Sequence, residues 1–447
     1  MKKATPITCC DIKKYADYYQ NDKVRVAMTN VFSKTNMGDM SFNTEASNPM
    51  QFMFSIDVKT MSSTNQKGSG RCWLFAATNV LREIVAKKIN VDNFELSQSY
   101  LAFWDKFERI NYYIDSIIDT ADQPYNSRVV DHIVGTGVHD GGQWDMFVNI
   151  VKKYGIVPKC VYPETFQSSS TGNLNRHINN YLKAKTPLLR KLAAEGNDEA
   201  LAALKTEMLE KSYSFLCACY SVPPMGEFDF EYKDKDGKVI VERGLTPHTF
   251  LEKYIGNYLD DYVSIIHAPT KDKPFDKTYT VKYLGNVVGG GEVCYLNLEM
   301  DEFKKLVIEQ LKGGEIVWFG SDCGKFGDGA KKSWDETAYN DELLTGFDSK
   351  MTKEDMLNYH MSQMNHAMCI TGVNIDDVTG KPNRWKIENS WGSDGANGGY
   401  HMASDSWFDS YVYQAVVNKK YLGDKAALLS EEKIELEPWD PMGSLAD

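Results

Sequence analysis

The chain has 447 residues, 42% of them hydrophobic and 25% charged, with a formal net charge of −12. This length suits one large or two to three ordinary domains and needs no disulfide staples. The acidic balance disfavours whole-surface binding to nucleic acid or anionic membrane, no apolar run approaches a membrane span, and no hydrophobic stretch follows Lys2-Lys3, so a cytoplasmic protein is expected.

In chain order, residues 10–60 mix polar stretches with short apolar runs and read as an arm leading in. Next comes Gln66-Lys67-Gly68-Ser69-Gly70-Arg71-Cys72-Trp73, then a helical pattern over 72–90 that is apolar nearly all round its first half. A cysteine at a first helical turn faces unpaired N–H groups and the positive end of the helix dipole. That setting favours the thiolate, the reactive species. Gln66, six positions upstream, can offer its amide to an oxyanion.

A helix is expected over 97–119 with Ser97 as N-cap, and another over 143–154, ended by Gly155 and Pro158. Residues 174–212 read as two helices broken near Gly196-Asn197-Asp198. Phe228–Lys233 and Val239–Val241, joined through Asp236-Gly237, predict a hairpin. Gly289-Gly290-Gly291 lacks a following helix and phosphate-binding lysine and reads as a loop. A helix over 301–313 is expected to be capped by Asp301. Strands follow at 316–320, 367–373 and 385–389. Helices first and strands late predict an α+β protein with a helical and a strand-rich lobe.

The nine cysteines, odd in number and scattered, favour reduced thiols over a disulfide framework, and neither they nor the eight histidines show metal-site spacing. His366 opens the strand run 367–373, where a histidine can face a cleft. Asn389 ends the run 385–389 and can fix the imidazole tautomer, and Trp391 can shield that bond from water. Cys72, His366, Asn389 and Gln66 together supply nucleophile, base, orienter and oxyanion donor. His401, after Gly398-Gly399-Tyr400, reads as structural.

In type and order, Gln66, Cys72-Trp73, His366 and Asn389-Ser390-Trp391-Gly392 make the chain resemble the papain-like cysteine peptidases. Two departures narrow the match. Arg71 replaces the usual serine, and Ser69 stands where secreted members carry a disulfide cysteine. With Glu95–Lys106 and Asn365-His366-Ala367-Met368, these features are similar to the bleomycin hydrolase and aminopeptidase C branch.

The resemblance implies a papain-like two-lobe α+β fold, a helical lobe plus a β-barrel-like lobe, with a large mainly helical insertion. It divides the chain into an arm (1–60), a helical lobe (61–173), the insertion (174–280), a β-rich lobe (281–435) and a tail (436–447). It implies a cytosolic thiol aminopeptidase acting on peptides without metal or cofactor, with bleomycin-type amide hydrolysis within reach. It also implies a homohexamer whose sites face an internal cavity. Gly141 and Gly142 become the short edge that pairs with the substrate backbone, where side chains would block approach. Trp391 lines the same site.

The tail Glu437–Asp447 carries Trp439, Met442 and Leu445, apolar anchors that a solvated end does not need. In the relatives a similar tail lies in the active-site cleft, with its terminal carboxylate meeting the substrate's amino group. Here Ala446 and Asp447 take that place, and self-trimming of Asp447 would leave Ala446 as the end. Aspartate departs from the lysine of some relatives. Two other functions fit part of this pattern. One is a transpeptidase that passes the same thioester to an amine. The other is nucleic-acid binding, which the charge disfavours.

Overall fold

The computed structural model describes residues 5–47 and 50–444, so Ala446 and Asp447 lie outside the described residues. The chain forms two compact units, Met1–Pro49 with Thr337–Lys350, and Met50–Glu336 with Met351–Asp447.

The smaller unit is built from short capped helices. Thr8 and Asp11 form a reciprocal cap on Cys9–Asn21, and Asp22 caps Lys23–Phe32. Neither helix buries a residue. Within this unit Arg25 Nη1 donates to the Leu344 carbonyl at 3.0 Å, and Phe42 packs edge-on against Tyr339. The expected arm is thus helical over most of residues 9–47. Residues 50–60 belong instead to the larger unit, where Ile56–Asp57 pairs with Gly372 and Val373.

The larger unit opens with the helices Cys72–Ile89, Gln98–Asp119 and Trp144–Tyr154. Ser97 caps the second, its hydroxyl accepting from the Tyr100 amide, and Gly155 ends the third at φ 72°. The expected broken pair is Gly172–Ala194 and Asp198–Tyr220, with Pro187 inside the first helix. The hairpin pairs Phe228–Lys233 with Val239–Leu245. The helix expected over 301–313 spans Met300–Lys312. Its N-cap is Glu299, so Asp301 lies inside the first turn rather than capping it.

The late strands join one mixed sheet. At its centre His366–Ile375 lies antiparallel between Val317–Ser321 and Pro382–Glu388. An apolar cluster including Trp73, Leu101, Phe147 and Leu182 fills the helical lobe. A second one, with Val317, Ile370, Trp385 and Phe408, fills the sheet side. The fold is α+β with a helical and a strand-rich lobe. The thiols of Cys9, Cys10, Cys160, Cys217, Cys219, Cys294, Cys323 and Cys369 are unbridged. Among the described residues no helix is long and apolar enough to cross a membrane.

Burial of titratable groups sets the acid limit of this fold. Burial lowers His139 and His267 to about 3, and His366 and His401 to about 4, against 6.5 for the ordinary imidazole. Burial raises the Asp145 carboxyl to about 6 and that of Glu388 to about 7. A depressed histidine contributes stability that is fully present above pH 6.5 and is lost as pH falls toward its folded value. Burial also raises Glu83, Glu336 and Asp405, and all these carboxyls act in the opposite sense. The four imidazoles have folded values below the whole window and the largest combined shift, so the melting temperature should fall between pH 6.5 and 4.5. Calorimetry across that range checks this, and a flat profile contradicts it.

Candidate active site

Cys72 is the first residue of its helix and is fully buried. Arg71, at the cap position, makes no side-chain capping bond, so no cap side chain competes for the first-turn amides. From the sheet side, the Ala367 amide donates to Cys72 Sγ at 3.4 Å. The residue before Ala367 is His366, so the strand that carries the imidazole also touches the sulfur.

The loop before Cys72 is held by polar bonds. The Arg71 guanidinium grips Glu164 through both terminal nitrogens, at 3.1 and 3.0 Å, and its Nε donates to Ser69 Oγ at 2.9 Å. Ser69 Oγ in turn donates to the Gln66 carbonyl at 2.6 Å. Ser69 and Arg71, the two departures from the papain pattern, therefore belong to one chain of bonds reaching Glu164. Gln66 Nε2 donates to the Ser69 carbonyl at 2.7 Å, and Gln66 Oε1 accepts from Ser390 Oγ at 2.6 Å.

His366 Nε2 donates to Asn389 Oδ1 at 2.9 Å, which leaves Nδ1 outside that bond. Burial pulls the imidazole down to about 4 and the Asn389 bond pulls it up. Trp391, 47% exposed, stacks on the imidazole with ring centres 5.0 Å apart. His401 stacks on Trp334 and meets Trp391 edge-on, so it supports the indole. Gly392 has φ 88°, and a Cβ there would lie 2.7 Å from Asn65 Nδ2. Only glycine turns the chain away so close to the Asn65-Gln66 segment.

Gly141 and Gly142 stand in front of helix Trp144–Tyr154 and are buried. A Cβ on Gly142 would lie 2.5 Å from the Trp73 ring, so that glycine is required by packing. Gly141 already uses both backbone groups: its amide donates to His139 Nδ1 and its carbonyl accepts from Arg109. The next residue, Gln143, donates from Nε2 to the Ser444 carbonyl at 2.7 Å, which brings the tail to this wall. The tail is anchored as far as it is described. Trp439 lies under the Arg128 guanidinium at 4.0 Å, Lys273 pairs with Asp440 at 2.8 Å, and Met442 is buried.

Four groups escaped the sequence reading. Asp140 accepts from the Gly70 amide at 3.0 Å and from Lys106, Thr171 and Asn175, while its carbonyl takes Trp73 Nε1 at 2.6 Å. Its place beside Gly141-Gly142 was the one available signal. Glu164 and Ser390 act as partners of Arg71 and Gln66. Glu388, next to Asn389, receives Arg82 and Asn79 from the Cys72 helix.

Comparison with known proteins gives the family of the chain. The model of the peptidase C1-like family matches residues 6–443. Aminopeptidase C of Streptococcus thermophilus is 45% identical over 436 residues, covering 97% of each chain. Aminopeptidase C of Lactobacillus delbrueckii subsp. lactis is 47% identical over 398 residues, covering 88% of each. The crystal structure of PepW from Lactobacillus rhamnosis HN001 is 45% identical, with a TM-score of 0.95 over 99% of this chain and 100% of that one. The chain belongs to the peptidase C1-like family, and its fold is papain-like.

The Arg71–Glu164 pair yields a measurable expectation. The Arg71 side chain is 2% exposed, so Glu164→Ala leaves a buried cation without its carboxylate. The cost should be about 3 kcal/mol in urea unfolding. A loss well below ~1 kcal/mol would mean that water replaces the carboxylate.

Proposed function

We propose that this peptidase C1-like chain, a cysteine-type aminopeptidase, works through Cys72, His366, Asn389 and Gln66. One observation carries the reading. His366 is fixed by Asn389 through Nε2, and the next residue on the same strand donates its amide to Cys72 Sγ. A buried imidazole lowered to about 4 is neutral at pH 7, with its single proton on Nε2 toward Asn389 Oδ1 and none on Nδ1. It becomes imidazolium only by taking the thiol proton, with the thiolate beside it as counter-ion.

The thiolate then attacks the carbonyl carbon of the substrate's first peptide bond. The resulting oxyanion is stabilised by the Cys72 backbone N–H and by Gln66 Nε2, which has one hydrogen beyond that used on Ser69. Imidazolium protonates the leaving amine as the C–N bond breaks, giving a thioester. His366 then takes a proton from water, the hydroxide attacks the thioester, and the amino acid leaves as the Cys72 thiol is restored. Asn389 keeps Nδ1 toward the sulfur throughout, and Trp391 covers the His366–Asn389 bond.

The tail limits the substrate to its first residue. The Gln143–Ser444 bond brings Ser444 to the Gly141-Gly142 wall, and the proposal assigns the carboxylate of Asp447, or of Ala446 after trimming, to the substrate's ammonium. Gly142 is the backbone contact of this proposal, with Gly141 as its support. The proposal extends to amide hydrolysis of the bleomycin type in a cytoplasmic setting, and to a homohexamer. Helices of 13 and 10 residues that bury nothing, and that expose Ile12, Tyr15, Tyr18 and Val24, favour a covering subunit.

Cys72→Ala should reduce turnover of aminoacyl reporter amides to background while a chelator leaves the parent unaffected. Near-normal activity in that variant would exclude the mechanism. Deleting residues 444–447 should raise cleavage of amino-blocked peptides relative to aminoacyl amides. An unchanged ratio of the two rates would remove the tail from the account.

A further inference from the structure

Glu388 is the last residue of the strand Pro382–Glu388, and its side chain is fully buried. Its Oε1 accepts from Arg82 Nη2 at 2.6 Å and from Asn79 Nδ2 at 2.8 Å. Both donors lie on the helix that begins with Cys72. Asn79 is two turns on from the cysteine, on the same helix face. The donors are themselves tied to the chain segment before Cys72. Asn79 Nδ2 bonds Thr64 Oγ1 at 3.1 Å, and Arg82 Nη2 reaches the Ser62 carbonyl at 3.0 Å.

Asn389 follows directly and is weakly held by its own side chain. Its Oδ1 accepts from His366 and from the neighbouring Ser390 amide, while its Nδ2 has no partner among the described residues. The direction of the carboxamide is therefore set by where the backbone of residues 388–390 sits. Stability alone does not require an ion pair there, because well-packed apolar residues usually do as well or better. Hydrogen bonds, unlike apolar contact, fix distance and direction.

We propose that Glu388 is a positioning residue. Through Arg82 and Asn79 it locks the strand end that carries Asn389 to the Cys72 helix, and so sets the His366 imidazole against the sulfur. The inference rests on the Cys72–His366–Asn389 reading above.

The test separates position from stability. In the double variant Arg82→Met/Glu388→Leu the buried pair becomes apolar, and the melting temperature should return close to the parent value. The kcat should still fall roughly tenfold or more with little change in KM. Alkylation of Cys72 by iodoacetamide at pH 7 should slow in parallel. Glu388→Gln keeps an acceptor oxygen for both donors and should retain most of kcat. Asn79→Leu removes the bonds to Glu388 and Thr64 but leaves the ion pair, and should lower kcat by a smaller factor. It serves as the arm that decides if the double variant does not fold.

Parental kcat in a well-folded double variant, or in Asn79→Leu, overturns the proposal. So does a Glu388→Gln protein as slow as the double variant, because charge rather than position would then be the cause. Retained activity in Cys72→Ala would instead sink the underlying catalytic reading, so the two failures are distinguishable.

Discussion

The Asp140 carboxylate is the constraint on which much of this site depends. It lies in the protein interior, where burial alone would raise its pKa. Lys106 and bonds from Thr171 and Asn175 instead hold it well below the usual carboxylate range. A charge in such a place is tolerable only when its lone pairs are used. Here they are used on groups that matter. One bond fixes the Gly70 amide, two residues before Cys72, and the Asp140 carbonyl fixes the Trp73 indole just after it. The chain then continues into Gly141 and Gly142, so nucleophile loop and proposed substrate wall share one anchor. Thr171 and Asn175 attach the start of the helix Gly172–Ala194 to the same point.

The second constraint is the seam between the lobes. The helical lobe carries Cys72, and the central strand of the sheet carries His366 at its first residue. Antiparallel pairing aligns Cys369 with Glu388, so the chain beyond Glu388 runs back alongside the start of that strand. Asn389 and Trp391 thereby reach His366 without a long loop. Glu388 ties this end to Arg82, and Ser390 bonds Gln66 from the other lobe. Cys72 and His366 thus belong to a helix and a strand, while Gln66 and Asn389, outside regular elements, are held by hydrogen bonds, the arrangement expected where sub-ångström placement matters.

The elements were legible where the sequence carries a local signal. Ser97, Gly155 and the Asp236-Gly237 turn punctuate the chain at the residues where helices and hairpin begin and end. The helix at Met300–Lys312 was legible too, but its cap was not. Asp301 has the right chemistry for an N-cap and lies two residues too late, because Glu299 adopts the extended cap conformation. The helices of the smaller unit were missed because they bury nothing, and without a buried stripe there is no period to read. Gly142 carries a demand the sequence did not show: the Trp73 ring occupies the space where its side chain would lie.

The sequence by itself determined the types and order of the reactive groups: a cysteine at a helix start, a histidine opening a strand, an asparagine closing the next one, and a glutamine upstream. It also determined the family, because those residues fall in one recognisable order across most of the chain. Only the tertiary structure decided what holds them. Arg71 and Glu164 are 93 positions apart, and Arg82 and Glu388 are 306 apart. No periodicity or cap links such residues. A buried polar group can be satisfied by any donor the fold brings near, so its partner is chosen by packing in three dimensions and not by spacing along the chain.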